Sequence, residues 1–224
     1  MKIQHHSIFK NLNSNNIDWS FIRNDFEEEK YFMPRTKEEY INLVKNDYSN
    51  EIILNEISSF LDKLNINHIF SLGSGRAFLE YKLKIRNFKV IVSDNDKSIN
   101  KLKQFNLFDK AYNLSIENAK TKLKNFQGLV LLSRIDTELT DSQLMNLFSD
   151  LSSLGVKYVF FIPAQLLTLK SFFTELLIRI KSILYRKKLV KCGYSRSNKL
   201  LKKLWKKFYN VKSINKKYYL LELL

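Results

Sequence analysis

Short apolar runs alternate with helical patterns through most of this 224-residue chain. The runs predict five strands, at 68–72, 89–93, 111–116, 128–132 and 157–162. Between and around them, apolar residues at helical spacing predict helices at 50–64, 77–83, 98–104 and 140–154. Because the runs are almost continuously apolar, both faces of the sheet must be covered, as they are in a parallel sheet. The pattern therefore predicts a doubly wound α/β fold.

The two ends of the chain complete this prediction. Residues 1–48 look irregular except for a helix at 37–45, and we expect them to form a helical N-terminal cap or lid. Residues 49–224 then form the main part of a single domain. Strands are predicted at 210–214 and 218–224, with a short connection that fits a hairpin. We therefore expect a mostly parallel seven-stranded sheet with a C-terminal antiparallel hairpin.

A glycine turn and an acidic residue follow the first two predicted strands. Gly73, Ser74 and Gly75 end the first strand, and Asp94 ends the second. In a doubly wound sheet a ligand lies beyond the carboxyl ends of the strands, where the turn and the carboxylate would meet and could hold a ribose. A dinucleotide fingerprint would place its third glycine where this chain has Phe78, and no glycine-lysine-serine/threonine loop is present. The spacing favours a nucleoside site of another kind.

Residues 68–77 followed by 90–94 resemble the first two motifs of the class I S-adenosylmethionine-dependent methyltransferases. The resemblance extends from about residue 50 to the end, and it implies a Rossmann-like fold, methyltransferase activity and S-adenosyl-L-methionine as the cofactor. It also implies a set of cofactor-binding residues: Ser71, Leu72, Gly73, Ser74 and Gly75 at the methionine moiety, Asp94 and Asn95 at the ribose, and Ser133 after the fourth strand.

Two positions depart from the family's pattern. Ser71 stands where the family often has an acidic residue, and Ala77 stands where it often has a third glycine. These two departures leave open how tightly the cofactor binds and whether activity is retained. The segment 115–118 corresponds only loosely to the family's adenine-contacting position.

Methyl transfer needs few catalytic residues, because alignment of the acceptor with an activated methyl group supplies much of the rate acceleration. We expect a small-molecule or glycan-like acceptor between the N-terminal cap, the loop after the fourth strand and the segment after the fifth. The candidate residues on this side are Arg134, Asp136, Gln165 and Tyr194. Asp136 and Tyr194 could act as a base for a hydroxyl acceptor, although a structural role suits both better.

Positive charge is concentrated in the C-terminal third. The chain carries a net charge of +16, and residues 165–224 contain sixteen Lys or Arg against two acidic residues. This balance predicts an anionic partner, such as nucleic acid or a membrane surface. Alternatively, the lysines serve only to keep the protein soluble. A non-catalytic protein that binds such a partner through its basic helices is therefore the alternative to the enzyme.

The segment 166–185 is apolar enough to raise the question of a transmembrane span. It carries four charged residues, so we expect a packed amphipathic helix and no span. A second amphipathic helix is predicted at 197–209. The single cysteine, Cys192, leaves no disulfide and no thiolate cluster, so we expect no metal. No secretory signal is evident, and the expected location is the cytoplasm, including the inner membrane surface.

Overall fold

The computed structural model describes residues 2–5, 33–48, 51–96, 98–164, 166–184, 193–214 and 218–224. In these residues the strands are β1 Lys2–His5, β2 His68–Leu72, β3 Lys89–Asp94, β4 Lys110–Asn113, β5 Leu129–Ser133, β6 Tyr158–Ile162, β7 Gly193–Arg196, β8 Tyr209–Ile214 and β9 Tyr219–Leu223. The α-helices are α1 Lys37–Lys45, α2 Glu51–Lys63, α3 Phe78–Ile85, α4 Ser98–Phe105, α5 Ile116–Ala119, α6 Asp141–Ser153, α7 Leu169–Leu184 and α8 Asn198–Trp205. Short 3-10 helices span Lys120–Leu123 and Ile135–Thr137.

The main sheet has seven strands in the order β4-β3-β2-β5-β6-β9-β8. Strands β2 to β6 run parallel to one another, and β9 runs antiparallel to both β6 and β8. The predicted doubly wound sheet with its C-terminal hairpin is therefore confirmed. Strand β2 lies between β3 and β5, so the strand order reverses at β2, and a ligand site is expected at its carboxyl end.

Helices cover both faces of this sheet. Apolar residues of α1, α2, α3 and α4 pack on one face, and those of α6 and α8 pack on the other. Alternate residues of the central strands serve the two faces, as Val130 and Leu131 of β5 show by belonging to opposite clusters. This double coverage explains why the central strands are almost continuously apolar.

Two predicted elements have other boundaries in the structure. The predicted strand 111–116 ends earlier, as β4 at Asn113, because the Ser115 hydroxyl accepts the Asn118 amide and starts a helix. The predicted helix 197–209 ends at Trp205. Tyr209 instead begins β8, where its hydroxyl donates to the carbonyl of Val156 at 3.0 Å.

Strands β1 and β7 form a separate two-stranded antiparallel sheet, which the sequence did not predict. Both strands have only four residues, KIQH and GYSR, and neither has an apolar run. Residues 2–5 therefore pair with β7, and the rest of the predicted cap is represented by α1 together with residues 33–36 and 46–48. Residues 6–32 lie outside the described residues.

The prediction that α7 packs through its apolar face is wrong. Leu169, Phe173, Leu177 and other apolar residues on one side of this helix are exposed to solvent. Helical spacing gave the correct secondary structure but could not show which way the apolar side faces. Among the helices of the described residues, none has both the length and the apolar character needed to cross a bilayer.

Candidate functional site

The glycine turn after β2 is held against the end of β3. The amides of Gly73 and Ser74 both donate to the carbonyl of Ser93, at 2.9 and 3.0 Å. The Ser93 hydroxyl in turn donates to the carbonyl of Ser71 at 3.0 Å. These bonds fix the turn at the carboxyl edge of the two central strands.

Asp94 lies directly beside this turn. The Gly75 amide donates to Asp94 Oδ2 at 2.6 Å, and the Asp96 amide donates to Asp94 Oδ1 at 2.8 Å. The structure thus brings together the glycine turn and the acidic residue that the sequence places nineteen positions apart. Each carboxylate oxygen has a second lone pair, so the carboxylate can accept further hydrogen bonds from a ligand.

Gly73 and Gly75 both have a left-handed backbone conformation, but the space around them differs. Gly73 has φ +68°, and a Cβ there would lie 2.7 Å from Ile135 Cγ2, so both the backbone and the packing exclude a side chain. Gly75 has φ +55°, but a Cβ there would meet open space. The nearby Ser74 Oγ is buried and has no hydrogen-bond partner among the described residues. The turn therefore leaves open space beside Gly75, where a ligand can approach the backbone closely.

Helix α3 begins immediately after the turn. Ala77 precedes it in a left-handed conformation, with φ 54° and ψ 37°, which is the backbone geometry that a third glycine would adopt more easily. Tyr40 of α1 lies over this junction, and its hydroxyl is 2.8 Å from the carbonyl of Arg76 and 3.0 Å from that of Ala77. Helix α1 therefore packs against the end of the glycine turn.

A buried carboxyl that the sequence did not single out lies below the turn. The Ser71 hydroxyl donates to Glu80 Oε1 at 2.7 Å, and both side chains are buried. The pKa of Glu80 is raised to about 7, chiefly by burial and in smaller part by the charge of Asp94, while the hydrogen bond from Ser71 opposes the shift. The available signal was that Glu80 lies three positions before Leu83, on the face of α3 that packs inward.

The segment after β5 supplies the other side of the predicted site. Ser133 ends β5, and the Arg134 amide donates to the carbonyl of Ile162 at 2.8 Å. Arg134 is exposed and has φ 63°, an uncommon conformation for a residue with a side chain. Such conformations cluster at functional sites, which favours Arg134 as a residue that faces a ligand.

Asp136 is buried under this segment. Its Oδ1 accepts the Ala164 amide at 2.9 Å, and within the described ranges its Oδ2 has no partner. Burial raises the pKa of Asp136 to about 6, although the Ala164 amide and the charge of Arg196 act in the opposite direction. Because solvent does not reach the carboxyl, its structural role is favoured over direct contact with an acceptor.

The remaining predicted site residues are Asn95, Leu72, Tyr194 and Gln165. Asn95 follows Asp94 and is exposed, and Leu72 is buried at the end of β2. Tyr194 is buried in β7, where the Arg196 guanidinium lies 4.8 Å from the centre of its ring. Gln165 and Cys192 lie outside the described residues.

Comparison with known proteins gives similarity at the level of structure. No protein-family model matches the chain, and no curated protein matches it in sequence. Human N-acetylserotonin methyltransferase in complex with SAM is similar over 84% of this chain and 57% of its own, with a TM-score of 0.52 and 15% identity. This chain therefore spans little more than half of that protein's length.

Two further solved structures have a similar fold. Magnesium protoporphyrin IX methyltransferase from Synechocystis PCC 6803 with bound SAH matches 91% of this chain and 97% of its own, with a TM-score of 0.55 and 11% identity. The S-adenosylmethionine-dependent methyltransferase SibL matches 77% of this chain and 53% of its own, with a TM-score of 0.50 and 11% identity. At such low identity these similarities show the fold, and this chain has the class I methyltransferase fold.

Proposed function

We propose that this protein is an S-adenosylmethionine-dependent methyltransferase. One observation carries the proposal: the Asp94 carboxylate lies against the Gly75 amide at 2.6 Å, at the end of the central strand where the strand order reverses. A carboxylate and an open glycine turn at this position suit the sugar and amino-acid parts of a nucleoside cofactor. The fold shared with cofactor-bound methyltransferases supports this interpretation of the site.

The residues present fit the cofactor. Asp94 would accept hydrogen bonds from the ribose hydroxyls through its remaining lone pairs, and exposed Asn95 lies next to it. The methionine moiety would lie beside Gly75, where the backbone borders open space. Ser133, at the end of the neighbouring strand, would form part of the wall.

We further propose that Glu80 compensates for the missing acidic residue at position 71. The Ser71 hydroxyl binds the Glu80 carboxyl at 2.7 Å, so a carboxyl still occupies the space below the turn although it comes from α3. In the same way, Ala77 adopts the left-handed conformation that a third glycine would take. Neither departure removes the feature that the family's pattern provides, and both are compatible with an active enzyme.

The proposed chemistry depends mainly on positioning. When bound, S-adenosylmethionine supplies an activated methyl group. The protein would hold the acceptor atom in line with it and exclude water, which needs no dedicated acid or base. Arg134 is exposed at the end of β5 and would contact an anionic or hydroxylated group of a small-molecule or glycan-like acceptor.

A binding measurement with a matched variant tests the proposal. We expect S-adenosylmethionine and its demethylated product to stabilise the protein by about 2.7 kcal/mol at a concentration of 100 Kd. In Asp94→Asn the affinity should fall roughly 10- to 100-fold, because hydrogen bonds to a charged group are lost. Titration calorimetry and thermal unfolding measure both effects.

Asp109→Asn is the control. Asp109 also accepts a backbone amide, that of Val90 at 2.7 Å, but it lies at the opposite end of β3. This variant should keep the wild-type affinity for the cofactor. Equal affinities in wild type and Asp94→Asn would exclude Asp94 from the site, and no binding by the wild type would remove the proposed function.

The alternative of a nucleic-acid-binding protein receives no support from the solved structures that share the fold. These structures are of methyltransferases, two of them with SAM or SAH bound. We therefore do not propose it.

A further inference from the structure

Helix α7 presents an apolar stripe to solvent. The stripe consists of residues at helical spacing with exposed fractions between 45% and 71%: Leu169, Phe173, Leu176, Leu177, Ile180 and Leu184. They occupy the positions i, i+4, i+7, i+8, i+11 and i+15, so they share one side of the helix. Large apolar side chains exposed together in this way mark an interaction surface.

The orientation of α7 is fixed by the fold at its start. Leu167 is buried just before the helix, and its amide donates to the carbonyl of Arg196 at 2.8 Å. Glu175, on the side of the helix opposite the stripe, is buried. The polar side therefore faces the protein, and the apolar side faces outward, the reverse of a helix that covers a core.

Lysines border the apolar stripe. Lys170 and Lys181 are exposed and each follows a stripe residue by one position, which places them together along one edge. Long lysine side chains can extend along an apolar surface while the ammonium group reaches a polar boundary. In the sequence, Arg186, Lys187 and Lys188 follow the last residue of the helix after one intervening position.

These features point to one occupant. A helix of 16 residues is about 24 Å long, so with a width of about 10 Å its stripe covers roughly 250 Å². A stable dimer buries roughly 800 Å² on each partner. A second copy would also carry a net charge of +16, so the two copies would repel each other. An anionic bilayer surface meets both the apolar stripe and its basic border.

We propose that α7 is a docking helix that lies in the plane of an anionic membrane surface, with its apolar stripe inserted among the lipid chains and its lysines at the headgroups. This surface is independent of the proposed cofactor site. The helix is too short to span a bilayer and suits an interfacial position.

Vesicle co-sedimentation of the full chain tests the proposal. The probes are vesicles of phosphatidylcholine alone and vesicles with roughly one-third phosphatidylglycerol, each at low and high salt. We expect the wild type to bind the anionic vesicles, and to bind them less as salt rises. Phe173→Glu combined with Leu177→Glu should lower the partition coefficient at least about tenfold.

Two variants control for charge and for lost apolar surface. Ile52→Glu combined with Ile85→Glu makes the same changes at exposed apolar positions of α2 and just at the end of α3, and should bind far better than the α7 variant. Lys170→Gln combined with Lys181→Gln should weaken binding to anionic vesicles by roughly fivefold per lysine. Cofactor-induced thermal stabilisation, measured on each variant, separates this proposal from the proposed function.

Three outcomes would overturn the proposal. The wild type could fail to bind anionic vesicles at low salt, or the control variant could lose as much binding as the α7 variant. The third is a dimer, detected by light scattering, that the α7 variant dissociates, since the occupant would then be a second copy of the chain.

Discussion

The buried carboxyl of Glu80, below the glycine turn, makes the stability of the protein depend on pH. Burial raises its pKa to about 7 from an ordinary value of 4.5, the Asp94 charge adds to the shift, and the hydroxyl of Ser71 opposes it. Between these two values the folded protein keeps a proton that the unfolded chain releases. Stability therefore falls as the pH rises from about 4.5 to about 7.

Glu80→Gln should remove this dependence. The amide oxygen can still accept the Ser71 hydroxyl, but it cannot ionise. Relative to the wild type, the variant should gain about 2–3 kcal/mol in its free energy of unfolding between pH 5 and pH 8, because each tenfold change in proton affinity corresponds to about 1.4 kcal/mol. Urea unfolding at a series of pH values measures the difference.

Asp109→Asn serves as the control of opposite sign. The Asp109 pKa is lowered: burial raises it, but the hydrogen bonds from Lys84 and from the Val90 amide outweigh that effect. Its contribution to stability is lost only in acid, so this variant should differ from the wild type by a constant amount between pH 5 and pH 8. A Glu80→Gln curve parallel to that of the wild type would contradict the prediction.

At the residue scale, the sequence predicted that Asp94 and the glycine turn lie together, because strand geometry alone requires it. Asp94 ends β3 and the turn with Gly75 follows β2, and the carboxyl ends of such neighbouring parallel strands meet at one edge of the sheet. Glu80 was missed because a glutamate in the first turns of a helix looks solvent-exposed in a sequence. Only the tertiary structure shows that α3 turns it toward Ser71.

At the element scale, apolar runs were sufficient to predict the central strands but not the small sheet or the orientation of α7. Strands β2, β3, β5 and β6 are covered on both faces, so most of their positions are apolar and the run is recognisable in the sequence. Strands β1 and β7 pair although most of the chain separates them in sequence, and neither strand contains a pattern that predicts the pairing. Helix α7 was predicted in place but not in orientation, because periodicity defines an apolar stripe without saying what it faces.

Glycine at position 193 is what allows β7 to approach the 3-10 helix after β5. Gly193 has φ +84°, and a Cβ there would lie 2.0 Å from the carbonyl oxygen of Thr137. Gly155 has φ +74°, but a Cβ there would meet nothing within 4 Å. The two glycines share a backbone conformation and differ in the space around them.

Gly193→Ala should therefore cost far more stability than Gly155→Ala. The left-handed conformation costs alanine about 1–2 kcal/mol at either position. At 193 the clash with backbone adds about 1–3 kcal/mol, because the carbonyl of Thr137 cannot rotate away as a flexible side chain would. Urea unfolding of both variants measures the costs, and equal values would show that β7 does not depend on this contact.

At the scale of the whole molecule, Arg196 joins the small sheet to the large one. Its guanidinium is fully buried, its Nε lies 2.7 Å from Asp141 Oδ1, and its other nitrogens donate to the carbonyls of Asp136 and Leu139. Lys2 of β1 also reaches Asp141, at 3.1 Å. Strands from both ends of the sequence are thus attached to the segment that leaves β5 and enters α6.

Arg196→Met should detach the small sheet from the rest of the fold. The change removes a buried charge together with its hydrogen bonds and leaves the carbonyls of Asp136 and Leu139 without donors, at a cost of about 3 kcal/mol or more. Lys2→Met removes the partly exposed partner of Asp141 and an ammonium group 4.5 Å from the centre of the Tyr194 ring, so it should cost less, about 1 kcal/mol. In Arg196→Met, the amides of β1 and β7 should therefore exchange their hydrogens faster than the amides of β2 and β5 do. Uniformly faster exchange in all four strands would mean that the two sheets unfold as one cooperative unit, and that Arg196 stabilises the whole molecule without acting as a local link.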